Sequence, residues 1–172
     1  MHLNVEIKAR CHQADAMRQW LLANGAEAKG TDHQTDTYFV VADGRLKLRQ
    51  GNIENSLIHY TRANQAGPKD SVVTMTQVAN GPELKKVLQK ALGVMVEVVK
   101  TREIYFIKNV KFHLDKVAGL GQFVEIEAID KEGNIGQPAL LEQCRHYMRQ
   151  LQITEADLLE NSYSDMLLKG RM

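Results

Sequence analysis

Several short segments of the chain alternate apolar and charged residues with a period of two. The clearest are residues 4–10 and 123–127, and shorter examples follow at 45–49 and 60–62. This period places every second side chain on the same face of a β-strand, so each segment is typical of a strand. The predicted strands cover residues 2–10, 35–41, 45–50, 55–63, 71–78, 95–107, 110–117 and 122–130.

Helical spacing of apolar residues interrupts the strands at four points. Residues 13–24, 81–92 and 138–152 each place a stripe of apolar side chains on one helix face, and residues 162–168 form a last amphipathic segment. Between two of the strands, Asp43-Gly44 is a strong signal for a tight turn. We therefore expect mostly antiparallel neighbours joined by short connections.

Many of the predicted strands carry cations on one face, whereas two others carry carboxylates. Because the helices are separately apolar, we predict an α+β fold in which an eight-stranded antiparallel β-barrel is covered by helices. Charges that point into such a barrel are costly to bury alone. The interior must then be wet, paired with carboxylates, or occupied by an anion.

Composition narrows the class of protein. The chain has 172 residues and a formal net charge of +1, so we expect a single domain over 1–172 and no nucleic-acid partner, which would favour a strongly basic chain. No apolar run approaches the ~20 residues of a membrane span, and no signal peptide follows Met1. A cytoplasmic location without membrane contact is the expectation. Cys11 and Cys144 have no metal-binding spacing and are predicted to be buried free thiols.

The charged faces of the strands define a candidate site. Arginine offers forked donors that match phosphate oxygens, lysine offers compact charges, and carboxylates suit Mg²⁺ or Mn²⁺. Glu6, Glu125 and Glu127 are the natural metal ligands in this set, and His113 is a minor candidate beside Asp115. The side chains predicted to point inward are Glu6, Lys8, Arg10, Arg45, Lys47, Arg49, Arg62, Lys100, Arg102, Lys111, His113, Asp115, Glu125 and Glu127.

These residues resemble the CYTH domain family, which includes class IV adenylyl cyclases and triphosphatases and is also called the triphosphate tunnel metalloenzymes. The resemblance covers nearly the whole chain, and its most specific part runs from Asp115 to Glu127. Its segments are Val5-Glu6-Ile7-Lys8, Asp36-Thr37-Tyr38-Phe39, Arg45-Leu46-Lys47-Leu48-Arg49, Tyr60-Thr61-Arg62, Lys100-Thr101-Arg102-x-x-Tyr105, His113-Leu114-Asp115-Lys116-Val117-x-Gly119-Leu120-Gly121-x-Phe123-x-Glu125-x-Glu127 and Ser162-Tyr163.

The resemblance implies roles for individual residues. Glu6, Glu125 and Glu127 would hold Mg²⁺ or Mn²⁺, while Lys8, Arg102 and Asp115 would be catalytic. The residues implied to bind phosphates are Lys8, Lys47, Arg49, Arg62, Lys100 and Arg102. The chain departs from the family's ExExK strand at one position, where Asn4 replaces the first glutamate. An amide there offers a neutral oxygen, so the affinity for metal or the number of metals could differ.

Three functions fit this resemblance. The first is a metal-dependent enzyme similar to class IV adenylyl cyclases, which convert ATP to cyclic AMP and pyrophosphate. The second is a triphosphatase that acts on inorganic tripolyphosphate, thiamine triphosphate or a nucleoside triphosphate. The third is a noncatalytic binder of nucleotide or polyphosphate, which Asn4 makes plausible. The expected partner is thus a small triphosphate, and the chain could act as a monomer or a homodimer.

Overall fold

The computed structural model describes residues 1–170 and contains a closed barrel of eight antiparallel strands. The strands are β1 (His2–Arg10), β2 (Glu27–Phe39), β3 (Arg45–Gln50), β4 (Asn55–Arg62), β5 (Lys69–Gln77), β6 (Val94–Ile107), β7 (Val110–Val117) and β8 (Gly121–Asp130). The α-helices are α1 (Ala14–Ala23), α2 (Gly81–Leu92), α3 (Gln137–Gln150) and α4 (Tyr163–Lys169). The predicted α+β fold with an eight-stranded antiparallel barrel is confirmed.

The barrel closes in the order β1-β5-β4-β3-β2-β6-β7-β8, with β8 paired to β1. In the β1–β8 ladder Glu6 lies opposite Glu127, and Lys8 lies opposite Glu125. Since side chains alternate across a strand, all four point to the same side of the sheet. The charged positions of the first and last strands therefore meet inside the barrel.

Apolar residues of the same strands point outward and are covered by helices. Val5 and Ile7 of β1 and Ile126 of β8 are buried beneath α3, in one core with Leu140 and Cys144 of that helix. Helix α1 adds Met17 and Leu21 to this core, and α2 packs on β2 and β3. Because the charged faces of the strands point inward, their apolar faces point outward, and the helices cover them. Cys11 and Cys144 are buried free thiols, as predicted.

A second apolar cluster closes one end of the barrel from inside. Tyr38 and Tyr60 lie in it with Phe123 of β8 and Tyr163 of α4, and α4 packs against β6. The Ser162 side chain begins α4 by accepting a hydrogen bond from the backbone N–H of Asp165, as an N-cap residue does. The C-terminal segment therefore forms the floor of the barrel.

One strand is much longer than its sequence pattern indicates. The alternation predicts a strand from residue 35, whereas β2 begins at Glu27. Residues 27–34 are mostly polar on both faces and so lack the apolar alternation, but they pair with β6 across a register shift between Ala28 and Gly30.

No helix among residues 1–170 is both long and apolar enough to cross a membrane.

The turn before β3 follows the predicted chemistry. Gly44 has a φ of 66°, in the left-handed region that favours glycine. A Cβ atom at this position would lie 2.8 Å from the carbonyl oxygen of Tyr60. The backbone of the turn therefore packs directly on β4 and brings Arg45 to the start of β3.

Candidate functional site

The barrel encloses a tunnel of about 310 Å³ that is lined largely by charged side chains. Every strand contributes to its wall, because each one turns its alternate side chains inward. The charged lining residues of the strands and of the β3–β4 turn are Glu6, Lys8, Asp36, Lys47, Arg49, Glu54, Arg62, Lys100, Arg102, Lys111, Glu125 and Glu127. Many of these inward charges are paired with one another inside the tunnel, which is one of the three ways to accommodate them.

Asp36 of β2 is the centre of the strongest cationic cluster. Its carboxylate accepts two hydrogen bonds from the Arg49 guanidinium at 2.9 and 2.8 Å and one from Lys100 at 2.7 Å, with the Lys47 ammonium 3.6 Å away. Burial alone would raise the pKa of Asp36, but Arg49, Lys100 and Lys47 together hold it well below its usual range. One carboxylate thus occupies the point where three cations converge.

The same cluster changes the titration of Lys100. Burial lowers its pKa to about 7, against the opposing effect of Asp36. Arg102, Arg49 and Lys47 lower it further because they are like charges. A bound phosphate group would stabilise the protonated form of Lys100, as Asp36 does in this structure.

Arg102 of β6 forms a second buried pair. Its guanidinium donates to both carboxylate oxygens of Asp115 at 2.7 Å, and the Tyr163 hydroxyl donates to the same carboxylate at 2.8 Å. A further oxygen, from Glu125, lies 3.6 Å from the guanidinium. Asp115 therefore lies behind Arg102 and orients its fork toward the tunnel.

The carboxylates gather on the opposite side, along the β1–β8 seam. Glu6 accepts a hydrogen bond from Arg62 at 2.5 Å, and Glu125 lies 3.5 Å from the ammonium of Lys8. Glu127 accepts a hydrogen bond from the Asn4 side-chain amide and has no cationic partner among residues 1–170. Among the carboxylates of the tunnel, the negative charge of Glu127 is therefore the least neutralised by neighbouring cations.

The pKa of Glu127 reflects this lack of compensation. Burial raises it to about 6, Lys111 opposes the change, and Glu6 and Glu125 add to it as like charges. The Asn4 Oδ1 atom is buried beside this carboxylate without a hydrogen-bond partner among the described residues. A cation at the seam would relieve both the repulsion and the unpartnered oxygen.

A divalent metal fits this set of donors. Glu6, Glu125 and Glu127 offer hard oxygen atoms on one face of two paired strands, and Asn4 adds a neutral oxygen nearby. The ligand atoms of His113, Asp115 and Glu125 also lie within 4.8 Å of one another. Asp115, however, accepts hydrogen bonds from Arg102 and Tyr163, so the negative charge of this cluster is already paired with the Arg102 guanidinium.

His113 lies beside the metal-binding candidates. Its Nδ1 atom is 3.3 Å from a carboxylate oxygen of Glu125, whereas Nε2 is buried without a partner among the described residues. Burial lowers the pKa of His113 to about 3, with Arg102 and Lys111 acting in the same direction. The ring is therefore neutral at physiological pH.

Most of the predicted site residues meet in this tunnel, but their depth varies. Arg10 is exposed, and Arg45 lies outside the tunnel, 3.0 Å from Asp165 of α4, so the expectation that both point into the interior was wrong. Both residues lie at strand ends, where a side chain on the inward face of a strand is no longer enclosed by the barrel. The predicted residues that line the tunnel are Glu6, Lys8, Lys47, Arg49, Arg62, Lys100, Arg102, Lys111, His113, Glu125 and Glu127.

Sequence reasoning missed three residues of the site. Asp36 was visible only as part of a family segment, although its place between Gln34 and Tyr38 on β2 could have marked it as inward. Glu54 lies in the turn before β4 and pairs with Lys111 at 2.5 Å and with Arg49 at 3.5 Å. Tyr163, which like Asp36 was named only within a segment of the family resemblance and without a role, places the centre of its ring 3.8 Å from the ammonium of Lys8. Neither a turn nor a C-terminal helix has a strand period from which these contacts could be predicted.

Solved structures share this fold. The PH1012 protein from Pyrococcus horikoshii OT3 superposes with a TM-score of 0.81 at 22% identity, covering 96% of this chain and 98% of its own. A Vibrio parahaemolyticus protein described as a candidate adenylate cyclase gives a TM-score of 0.77 at 20% identity, covering 96% and 97%.

A more distant structure is HpAC1 from Hippeastrum, a candidate adenylyl cyclase described as having a dominant triphosphatase activity. It gives a TM-score of 0.64 at 13% identity and covers 99% of this chain and 96% of its own. No curated protein matches the sequence significantly. The CYTH domain, as a sequence family, matches residues 2–163. With nearly the whole chain matched and the tunnel in place, this protein belongs to the CYTH domain family.

Proposed function

We propose that this protein is a metal-dependent enzyme that acts on a triphosphate in its tunnel, in the manner of class IV adenylyl cyclases. The leading reaction is conversion of ATP to cyclic AMP and pyrophosphate. The observation that carries the proposal is the convergence of lysine and arginine side chains on one wall of a closed barrel, opposite a seam of carboxylates. Membership in the CYTH family supports a triphosphate as the substrate.

The cations around Asp36 are the proposed phosphate-binding group. Lys47, Arg49 and Lys100 already converge on a carboxylate, so a phosphate group can accept the same donors when it displaces Asp36. Arg102 presents its fork at a fixed angle because Asp115 holds its other side. Arginine fixed in this way stabilises charge that develops on a leaving phosphate without reorganising.

The carboxylates at the seam are the proposed metal ligands. Glu6, Glu125 and Glu127 would hold Mg²⁺ or Mn²⁺, and such an ion supplies Lewis-acid stabilisation of the phosphate oxygens. In this structure Arg62 and Lys8 partly neutralise Glu6 and Glu125. Binding of the metal would free these two side chains for the substrate.

A triphosphatase is the second candidate, because the contacts proposed above hold phosphates in both reactions. The cyclase needs the ribose 3′-oxygen as nucleophile, whereas the hydrolase needs water. The experiment is therefore a product profile: ATP, tripolyphosphate and thiamine triphosphate are each supplied with Mg²⁺ or Mn²⁺. Equal amounts of cyclic AMP and pyrophosphate support the cyclase.

The other products of that assay have equally clear meanings. Phosphate release without cyclic AMP supports the triphosphatase. If no product forms but tripolyphosphate binds, the protein is a noncatalytic binder. Glu127→Gln serves as the metal-site variant, and Asp70→Asn, which removes an exposed carboxylate from the outer face of β5, is the matched control. Equal turnover by the parent and Glu127→Gln would contradict the proposed metal site.

A further inference from the structure

The C-terminal helix places one aromatic side chain inside the tunnel. Tyr163, the first residue of α4, lines the tunnel although it also belongs to the apolar cluster of the floor. The residue is 4% exposed. It therefore lies where the floor meets the charged wall, and both its ring and its hydroxyl contact charged residues.

The segment before Tyr163 is fixed to two strands of the barrel. The backbone N–H of Leu159 donates to the carbonyl oxygen of Lys8 in β1 at 2.9 Å. The ammonium of Lys69, a buried residue of β5, donates to the carbonyl oxygen of Glu160 at 2.9 Å. The barrel itself thus determines where Tyr163 enters the tunnel.

The hydroxyl of Tyr163 shares an acceptor with Arg102. It donates to Oδ2 of Asp115 at 2.8 Å, and Nη2 of Arg102 donates to the same oxygen at 2.7 Å. Among residues 1–170, Arg102 and Tyr163 are the side chains that hydrogen-bond this carboxylate. Without the hydroxyl, Asp115 and Arg102 would hold only each other, and the two side chains could shift as a pair.

The ring of Tyr163 contacts a second cation. The ammonium of Lys8 lies 3.8 Å from the centre of the ring, within the roughly 6 Å over which a cation is attracted to an aromatic face. The same side chain therefore contacts Lys8 directly and Arg102 through Asp115. Both of these cations serve the phosphates in the proposed function.

Lys8 and Arg102 lie on either side of one proposed metal ligand. The Lys8 ammonium is 3.5 Å from Oε1 of Glu125, and Nη2 of Arg102 is 3.6 Å from the same oxygen. Hydrogen bonds between such charged groups are usually about 2.7–2.9 Å long. Each cation has its closer contact elsewhere, with the Tyr163 ring for Lys8 and with Asp115 for Arg102. Glu125 is thus flanked by two cations that have not closed on it.

We propose that Tyr163 is a positioning residue that keeps Lys8 and Arg102 from closing on Glu125. Its ring holds the ammonium, and its hydroxyl holds the carboxylate that orients the guanidinium. The Glu125 oxygen then stays available to a metal, and both cations stay available to phosphates. This inference rests on the proposed function and makes α4 a working part of the site as well as its floor.

The first test needs no substrate. In protein labelled with ¹⁵N-arginine, NMR measures the rate at which the Arg102 guanidinium rotates about its Nε–Cζ bond, and the signal is identified by its loss in Arg102→Lys. In the parent this rotation should be at least about 10-fold slower than that of the exposed Arg145, since two hydrogen bonds to Asp115 must break first. Tyr163→Phe keeps the ring but removes the hydroxyl, so rotation should become severalfold faster.

The second test measures metal affinity and turnover. Tyr163→Leu removes both contacts, so Mg²⁺ affinity in calorimetry should fall by about 10-fold, as it does when an outer partner of a metal ligand is lost. Tyr163→Phe should lower this affinity less. With the triphosphate that the parent turns over, kcat should fall by about 10-fold in Tyr163→Phe while KM changes little, because the cations around Asp36 are untouched.

Tyr105→Phe is the matched control. The Tyr105 hydroxyl also donates to a carboxylate at 2.8 Å, that of Glu103, but the residue lies in the apolar core beneath the helices and outside the tunnel. Rotation of Arg102, Mg²⁺ affinity and kcat should equal those of the parent. Circular dichroism and thermal unfolding show whether each variant is folded before it is compared.

The outcomes separate this inference from the proposed function. Rotation of Arg102 as fast as that of Arg145 in the parent would overturn the inference without any variant and leave the triphosphate enzyme standing. Parent-like rotation, Mg²⁺ affinity and kcat in the folded Tyr163 variants would do the same. If the parent neither binds nor turns over a triphosphate, the proposed function fails, whereas rotation and Mg²⁺ affinity still decide whether Tyr163 holds the two cations away from Glu125.

Discussion

Asp36→Asn removes the carboxylate at which three tunnel cations converge while keeping the shape of the side chain. Arg49 donates to it twice, Lys100 donates at 2.7 Å, and Lys47 lies at 3.6 Å. Breaking a buried ion pair by removal of one partner costs about 3–5 kcal/mol of unfolding free energy. We expect a loss in this range at a pH where all three cations remain charged.

The loss should depend on pH, because Lys100 can escape repulsion by losing its proton. Its folded pKa of about 7 is already below its ordinary value of 10.5, and Asp36 is the group that opposes a further decrease. In Asp36→Asn the pKa of Lys100 therefore falls below 7, whereas the unfolded chain keeps the ordinary value. The other charges that face Lys100 are Arg102, Arg49 and Lys47. The pKa values of both arginines lie above the ordinary value for arginine, because burial lowers them but is outweighed chiefly by Asp115 for Arg102 and by Asp36 for Arg49.

The direction of this pH dependence follows from whether Lys100 holds its proton in the folded and in the unfolded state. Below pH 7 the folded parent holds the Lys100 proton, the folded variant does not, and both unfolded chains do. The unfolding free energy of the variant should then fall relative to the parent by up to about 1.4 kcal/mol for each pH unit below 7. Above pH 7 the difference should stay constant.

Urea denaturation of both proteins between roughly pH 5.5 and 8.5 measures this difference directly, within a range that avoids titration of ordinary carboxylates. Asp70→Asn, on the outer face of β5, is the control for a lost surface charge. Lys100→Met in both backgrounds should abolish the pH dependence of the difference. A parent–variant difference that stays the same across the whole range would refute the proposed coupling of Asp36 to Lys100.

The remaining predictions concern binding and metal. Glu125→Gln and Glu127→Gln should abolish metal-dependent turnover in folded protein, as excess chelator should in the parent. Arg49→Ala and Arg102→Ala should each weaken tripolyphosphate binding by about 1–3 kcal/mol in calorimetry. Asn4→Glu should increase Mg²⁺ affinity, since a charged oxygen replaces a neutral one. Metal affinity of the parent should rise with pH through about 6, where Glu127 loses its proton, and Glu127→Gln should remove that rise.

Each of these expectations has a result that would contradict it. Full activity in excess chelator would eliminate the metal requirement. Parent-like affinity in both arginine variants would place the phosphates elsewhere. Unchanged metal affinity in Asn4→Glu would mean that residue 4 lies outside the metal shell. A pH-independent metal affinity would show that Glu127 does not titrate at the site.

Much of the barrel could be predicted because its strands have two different faces. In β1 the outward Val5 and Ile7 alternate with the inward Glu6 and Lys8, so the sequence pattern and the folded strand agree. The first part of β2 could not be found in this way, because residues 27–34 form a strand through backbone pairing with β6 rather than through a buried apolar face.

The candidate site was predictable in its composition but not in its pairings. Strand parity identifies the face on which Arg49 and Arg102 lie, yet it cannot tell that Asp36 and Asp115 will meet their guanidinium groups. Those contacts depend on which strands become neighbours in the closed barrel. The alternation along a strand also does not show how far along the barrel a side chain lies. This is why Arg45, at the start of β3, proved to lie outside the tunnel.

The β1–β8 seam has a consequence for folding. The proposed metal ligands come from the first and last strands, so Glu6 and Glu127, which are paired across the seam, are separated along the chain by all the strands between them. Such distant pairings form late and slowly, since the chain must first lose the entropy of a long loop. A metal bound across the seam would then link the first and last strands where the barrel closes. It should slow the opening of the barrel more than it speeds its assembly.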